Sequence, residues 1–284
     1  MEFAVPAGLA ASARRTPERA AWLARLPEVV VEVCGRWGLD AGAPFDCDEV
    51  SAAWVAPVTR ADGTSAVLKL GMPHFEAEHE IAGLRVWDGD PTVRLLDADE
   101  GLNAMLLERC EPGTVLRTLD EPEQDAVIAG LLRRLWRVAP LPGPFRPLAL
   151  MTVVWSNEVR ADDARWADPG LVAEALWLFD ELPRSAPEEV LLATDLHAGN
   201  VLRARREPWL VIDPKPFVGD PAYDATQHLL NCERLRTDPL PMIRRVSDLL
   251  ELEPERLRLW TFARVALESR DSAEGLELAR PLAP

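Results

Sequence analysis

Long apolar runs are missing from this sequence. Charges interrupt every one well before about 18 residues, and the amino terminus, MEFAVPAGLAASARRTPERAAW, has no early basic stretch followed by an apolar core. Neither membrane spanning nor export is expected, and the chain reads as cytoplasmic. Cysteine is also scarce: Cys34, Cys47, Cys110 and Cys232 are widely scattered, form no CxxC pair and have no histidine cluster nearby. That disfavours both a disulfide framework and a zinc-type site, and leaves reduced thiols. Positive charge is in deficit. Aspartate and glutamate number 47 against 31 lysine plus arginine, a balance of −16, which makes nucleic-acid backbones and anionic membranes poor partners and a cationic small molecule a favourable one. Lysine is nearly absent, because only Lys69 and Lys215 stand among the 31 basic residues and the other 31 − 2 = 29 are arginines. An arginine-favouring genome accounts for the bias, so only the placement of the two lysines is of interest.

What is present suits one large domain or two lobes: 284 residues, 48% of them hydrophobic, enough for a substantial core. TPERAAWLARLPEVVVEVCGRWG predicts a helix or a pair of helical turns, capped by Thr16, interrupted at Pro27 and stopped at Gly35 or Gly38. SAAWVAPVT and TSAVLKL around Ala-Asp-Gly predict a hairpin, since Asp-Gly supplies the positive φ of such turns. PHFEAEHEIAGLRVWDG follows as a helix whose Ala77, Ile81, Leu84 and Trp87 keep helical spacing. TVRLLDAD and LNAMLLERC form a second hairpin. Beyond EPGT the texture becomes helical, with helices near 122–138, 169–182, 224–234, 240–251 and 254–269. The expectation is an α+β fold of two lobes: a small antiparallel-sheet lobe with one key helix over 1–107, a joining stretch at 108–113, and a larger, mainly helical lobe over 114–284.

The chemistry centres on ATDLHAGN, residues 193–200, between two apolar runs. Phosphoryl transfer from ATP needs a cation on the nucleotide phosphates, oxygen ligands for magnesium and a carboxylate to accept the acceptor hydroxyl's proton. Asp195 is the candidate base, Asn200 a candidate magnesium ligand, and Asp213, eighteen residues after Asp195, the main one. The stretch VLRARREPWLVID has the length to return the chain so that Asp213 and Asp195 face the same point. Lys69 sits on a predicted strand among apolar residues, where a buried ammonium needs a partner. Glu80 lies nearest the centre of the apolar stripe of the next helix and is the first choice, with Glu76 second.

These segments resemble the aminoglycoside phosphotransferase family, which has the protein-kinase-like fold. LLATDLHAGNVL with VIDPKPFVGDPAYD is similar to its streptomycin 6-phosphotransferase and hydroxyurea phosphotransferase branch, as are AWVAPVTRADGTSAVLKL, LRVWDGDPTVRLLDAD and MLLERCEPGT. The resemblance spans about residues 50–232. It implies ATP and Mg2+ as cofactors, Asp195 as base, Asn200 and Asp213 as metal ligands, and Lys69 with Glu80 as the phosphate-binding pair. It also implies a lobe-joining stretch from Met105 to Cys110, with backbone groups of Glu108 and Cys110 on adenine, and a phosphate-covering hairpin on Ser51 to Ala53.

Departures from kinase-like loops accompany the match. Ala193 and Thr194 stand where a histidine or arginine commonly precedes the base, so loop support falls to other groups such as His197. No GxGxxG precedes Lys69, Pro-Lys follows Asp213, and ten residues between Asp213 and Asp224 are too few for a peptide-binding activation loop. Lys215 is expected either on the transferred phosphate or on a neighbouring carboxylate. Asp220 and Asp224 are expected to bond the loop's backbone or cap a helix. Trp155, Asp162, Asp163, Glu233 and Asp238 are candidate contacts for a cationic acceptor, against a background reading of core for the tryptophan and solvated surface for the acids.

The function these features favour is ATP-dependent phosphorylation of a hydroxyl on a small cationic molecule such as streptomycin, by a monomer. A metabolic kinase for an amino alcohol, sugar or hydroxyurea-like acceptor, and a nucleotide-binding pseudokinase acting through partners, are the alternatives.

Overall fold

The computed structural model describes residues 3–46, 52–136, 143–162 and 165–284; Cys47, Ser51 and Asp163 fall outside them. In chain order the elements are α1 (Ala7–Ala13), α2 (Pro17–Trp37), β1 (Leu39–Ala41), β2 (Ala53–Arg60), β3 (Ser65–Gly71), α3 (Glu80–Trp87), β4 (Leu95–Asp99) and β5 (Ala104–Glu108). Then come α4 (Glu121–Leu135), α5 (Leu148–Ala161), α6 (Pro169–Arg184), β6 (Val190–Leu192), β7 (Val201–Leu202), β8 (Leu210–Val211) and β9 (Phe217–Gly219). The chain closes with α7 (Pro221–Leu230), α8 (Arg234–Thr237), α9 (Pro239–Leu250), α10 (Pro254–Glu268) and α11 (Ala273–Ala279).

Two units result, one of Met1–Thr114 with Leu202–Ile212, the other of Val115–Val201 with Asp213–Pro284. In the first, an antiparallel sheet runs β1-β2-β3-β5-β4. The β2–β3 hairpin turns where Asp-Gly foretold, with Gly63 at φ +81°. Alternation along β3 divides two cores. Leu68 and Leu70 point to the face covered by Leu26, Val30 and Val33 of α2. Val67 lies on the opposite side, with Met105, Leu107 and the α3 residues Ile81 and Leu84. Because side chains on a strand alternate with period two, Lys69 falls on the α3 side and is paired in register with Met105.

Several elements differ from expectation. Helix α2 runs through Pro27 without a break, its buried Leu26, Val30 and Val33 holding both halves on one sheet face. Packing of that stripe outweighs one lost backbone hydrogen bond. Helix α5 was not foreseen, since the run LALMTVVW is apolar on every side and hides the helical period. Helix α3 starts only at Glu80, preceded by turns rather than a longer helix. Helix α7 begins at Pro221, three residues before the expected start, because Asp220 accepts the Ala222 amide at 3.0 Å as its cap. Gly219 is required in β9, where a Cβ would come within 2.5 Å of Leu148 Cβ.

The segment 202–212, assigned from sequence to the helical part, packs with the first unit. Leu210, Ala204 and Ile212 join the α3-side core. The Val93 amide donates to Val211 O at 3.0 Å, and Arg203 N donates to Thr114 O at 2.8 Å. The anchor is Arg206: its guanidinium donates to the Glu108 carboxylate at 2.8 to 3.2 Å, to Gly89 O at 2.8 Å and to Thr92 O at 3.0 Å. Burial alone would raise the Glu108 carboxyl, but the Arg206 hydrogen bonds and the Arg94 amide outweigh it and hold the group below its usual range. Arg206→Ala strands a partly buried carboxylate and two carbonyls. It is expected to lower unfolding stability by about 2 kcal/mol or more, read from urea midpoints, with Arg206→Lys recovering less than half because a point charge cannot span the fork of acceptors.

Candidate active site

In the first unit, the Lys69 ammonium donates to both Glu80 oxygens, at 2.6 and 2.7 Å, with the two residues 7% and 2% exposed. Of the two glutamates considered, Glu80 is therefore the partner. It begins α3, on the turn that faces β3, and a bidentate contact of this kind fixes the direction of an otherwise flexible side chain. Met105 is fully buried beside Lys69 in the sheet. The Glu108 amide already donates to Arg94 O at 2.9 Å, and its side chain is held by Arg206. Of the Glu108 backbone groups expected on adenine, the amide is thus already engaged, which leaves the carbonyl for such a contact. Burial pushes the Cys110 thiol up to about 12, with the Glu108 charge adding to it, so this residue has no thiolate chemistry.

In the second unit, β6 delivers the chain to a sharply bent loop. The Asp195 amide donates to Ala193 O at 2.7 Å, closing a three-residue turn around Thr194, whose φ is +48°. A β-branched residue in that region is strained. Three contacts hold it: the Ala193 and Thr194 amides donate to the two oxygens of Asp224 at 3.0 and 2.6 Å, and the Thr194 hydroxyl donates to Lys215 O at 2.7 Å. Asp224 accepts a third hydrogen bond from the Trp136 indole at 3.0 Å. Asp220, besides capping α7, accepts from Arg256 at 2.6 Å and Trp260 at 2.5 Å.

The candidate side chains then assemble. Asn200 Nδ2 donates to Asp195 O at 2.9 Å. Lys215 Nζ lies 2.8 Å from Asp213 Oδ1 and 3.4 Å from Asp195 Oδ2, so the ammonium joins the two carboxylates. Asp213 is itself at φ +53°. His197 Nδ1 accepts the Gly199 amide at 3.0 Å and faces Arg117 Nη2 at 3.3 Å, which leaves Nε2 as the protonated nitrogen, 4.0 Å from Asp195 Oδ1. Gln227 Nε2 donates to Asp195 Oδ1 at 2.9 Å.

Sequence reasoning missed Gln227, Trp136 and Arg117. The signal available for Gln227 was its place three residues after Asp224 on a foreseen helix. As a set, Asp213 offers a carboxylate and Asn200 an amide oxygen, its NH2 end being spent on the loop. Hard oxygen donors of this kind suit Mg2+.

The acceptor candidates have the following neighbours. Trp155 packs against Phe179 with ring centroids 6.3 Å apart, and the Arg264 guanidinium lies 5.8 Å from its ring. Asp162 pairs with Arg270 at 3.4 Å and Arg165 at 3.9 Å. Glu233 and Asp238 stand exposed at the starts of α8 and α9, and the Glu233 amide donates to the Glu121 carboxylate at 2.6 Å. Elsewhere, and unforeseen from the scattered cysteines, Asp125, His228 and Cys232 come within 4.8 Å of one another. Arg234 and Arg245 already hold the Asp125 carboxylate at 2.6 and 2.9 Å, and burial pushes the Cys232 thiol up to about 12. That cluster is a charge-balanced packing node of α4 with α7.

This pairing of a Lys–Glu-bearing sheet with a helical unit carrying the Asp195 loop is the protein-kinase-like fold of small-molecule phosphotransferases. A choline kinase from Streptococcus pneumoniae shares it, with a TM-score of 0.62 at 14% identity over 88% of this chain and 90% of that one. The chain belongs to the aminoglycoside/hydroxyurea antibiotic resistance kinase family, whose profile matches residues 40–274. It is 40% identical to a streptomycin 6-kinase of Streptomyces griseus over 98% of this chain and 94% of that protein. It is 39% identical to a hydroxyurea phosphotransferase of Kitasatospora aureofaciens over 90% of this chain and 76% of that protein. No described helix is long and apolar enough to cross a membrane.

Desolvation raises the Asp224 carboxyl to about 6, against the pull of its three N–H donors. A group raised in the folded state contributes stability that is complete below its unfolded value, near 3.8, and is lost as pH rises through about 6. Wild type is thus expected to lose roughly 3 kcal/mol relative to Asp224→Asn between about pH 4 and pH 7. Urea midpoints of both proteins across that window are the measurement. Equal pH dependence in the two would show that Asp224 stays ionised throughout.

Proposed function

We propose that this kinase transfers the γ-phosphoryl group of ATP, with Mg2+, to a hydroxyl of a small cationic molecule, an aminoglycoside such as streptomycin. The observation that carries the reading is the Lys215 ammonium bridging Asp195 and Asp213, with Asn200 braced on the same turn. In this reading Asp195 orients the acceptor hydroxyl and takes its proton. Asp213 and the Asn200 oxygen hold the magnesium ion, which when bound neutralises charge on the phosphates. Lys69, aimed by Glu80, takes the α- and β-phosphates, and the Glu108 carbonyl and Cys110 backbone meet adenine. Transfer is direct, without a phosphoenzyme, because the acceptor's oxygen and the base share one locus.

The surplus of 47 acidic over 31 basic residues supports a cationic acceptor, and the 40% identity to a streptomycin 6-kinase supports streptomycin itself. Hydroxyurea is the second reading, favoured by the 39% identity to a hydroxyurea phosphotransferase. Trp155, Asp162, Asp163, Glu233 and Asp238 remain acceptor-contact proposals.

Purified protein with ATP, Mg2+ and each acceptor in turn separates the two. Phosphorylated streptomycin is the expected product, and exclusive transfer to hydroxyurea reassigns the substrate. In the same assay Asp195→Asn is expected to lower kcat by roughly 10² to 10⁴ with nucleotide affinity within about twofold. Full activity in that variant would remove Asp195 as the base.

A further inference from the structure

One face of α7 carries the fittings that hold the loop. Asp220, Asp224 and Gln227 follow at intervals of four and three residues, so their side chains emerge along a single stripe. Asp220 secures the helix to α10 through Arg256 and Trp260. Asp224 secures the loop's backbone at Ala193 and Thr194. Gln227 reaches further, to the carboxylate of Asp195 itself.

That contact sorts the two oxygens of Asp195. Oδ1 accepts from Gln227 at 2.9 Å, and Oδ2 faces Lys215 at 3.4 Å. Among the described residues, the other titratable or charged groups near the carboxylate include His197, 4.0 Å from Oδ1, Asp213 across the shared Lys215 ammonium, and Arg264 of α10, within electrostatic reach. The orientation of the Gln227 amide follows from chemistry, since its carbonyl end turned toward a carboxylate would be repulsive. Loss of the amide frees the carboxylate plane to turn toward the Lys215 ammonium and accept from it with both oxygens.

We propose that Gln227 is a positioning residue for the phosphoryl transfer: its side-chain amide fixes the rotation of the Asp195 carboxylate, so that one oxygen is occupied and the other is aimed at the acceptor hydroxyl. The inference rests on Asp195 being the base. Gln227 touches neither substrate in this account, so its loss acts on turnover and not on binding.

The test uses Gln227→Leu and the isosteric Gln227→Glu, with Asp195→Asn as control, assayed with ATP, Mg2+ and whichever of streptomycin or hydroxyurea accepts. Gln227→Leu is expected to lower kcat by about 10- to 100-fold, the scale of a hydrogen bond to a charged group, with KM for both substrates within about twofold. Gln227→Glu gives a sharper readout. Protonated, its carboxyl donates to Oδ1 as the amide does; ionised, it repels Asp195. Its kcat relative to wild type should therefore fall as pH rises, which a merely structural glutamine would not produce.

Unchanged kcat in Gln227→Leu, or a Gln227→Glu deficit that is the same at every pH, or a loss confined to KM, would overturn the proposal. If Asp195→Asn is inactive while Gln227→Leu is fully active, positioning alone falls. If Asp195→Asn keeps full activity, the base assignment falls and the positioning role with it.

Discussion

A buried carboxylate accepting two consecutive backbone amides is the constraint from which the loop chemistry follows. Asp224 binds the Ala193 and Thr194 amides at 3.0 and 2.6 Å, and these bonds, with that of the Thr194 hydroxyl to Lys215 O, hold Thr194 in its strained left-handed conformation. That conformation turns the chain so abruptly that Asp195 leaves the direction of β6. The three N–H donors offset only part of the desolvation cost of Asp224, whose carboxyl stays raised to about 6.

Around this fixed point, α7 and the 193–200 loop form a mutual scaffold. The segment between β8 and β9 contributes Lys215 O to the Thr194 hydroxyl, and the Lys215 amide to Ala193 O at 2.8 Å, so both the backbone and the ammonium of Lys215 are held in place. Asp213 and Asp195, eighteen residues apart, are thereby held on one cation. Two carboxylates this close repel one another, and the ammonium between them offsets that repulsion.

The Lys69–Glu80 pair solves a different problem. An ammonium buried on a sheet face costs several kcal/mol unless a geometrically good partner meets it, and truncating either side leaves the other's charge inside. The period-two alternation of β3 decides that Lys69 shares a side with α3, and the start of α3 at Glu80 supplies the partner. The same face takes in Leu210 and Ile212 from far along the chain, locked there by Arg206. Distant sequence thus completes the core behind Lys69.

Much of the site was legible because its constraints are local. Asp-Gly fixes a hairpin through the φ it tolerates, helical spacing singles out Glu80, and DLHAGN with VIDPK carries its family resemblance in contiguous residues. Three things were decided only by tertiary packing. Pro27 stays inside α2 since Leu26, Val30 and Val33 hold both sides of it to the sheet, an energy that no local propensity contains. Residues 202–212 follow a core and an arginine anchor that the sequence does not connect to them. Gln227 meets Asp195 across 32 residues, a pairing whose hydrogen bond exists only once α7 and the loop have folded onto one another.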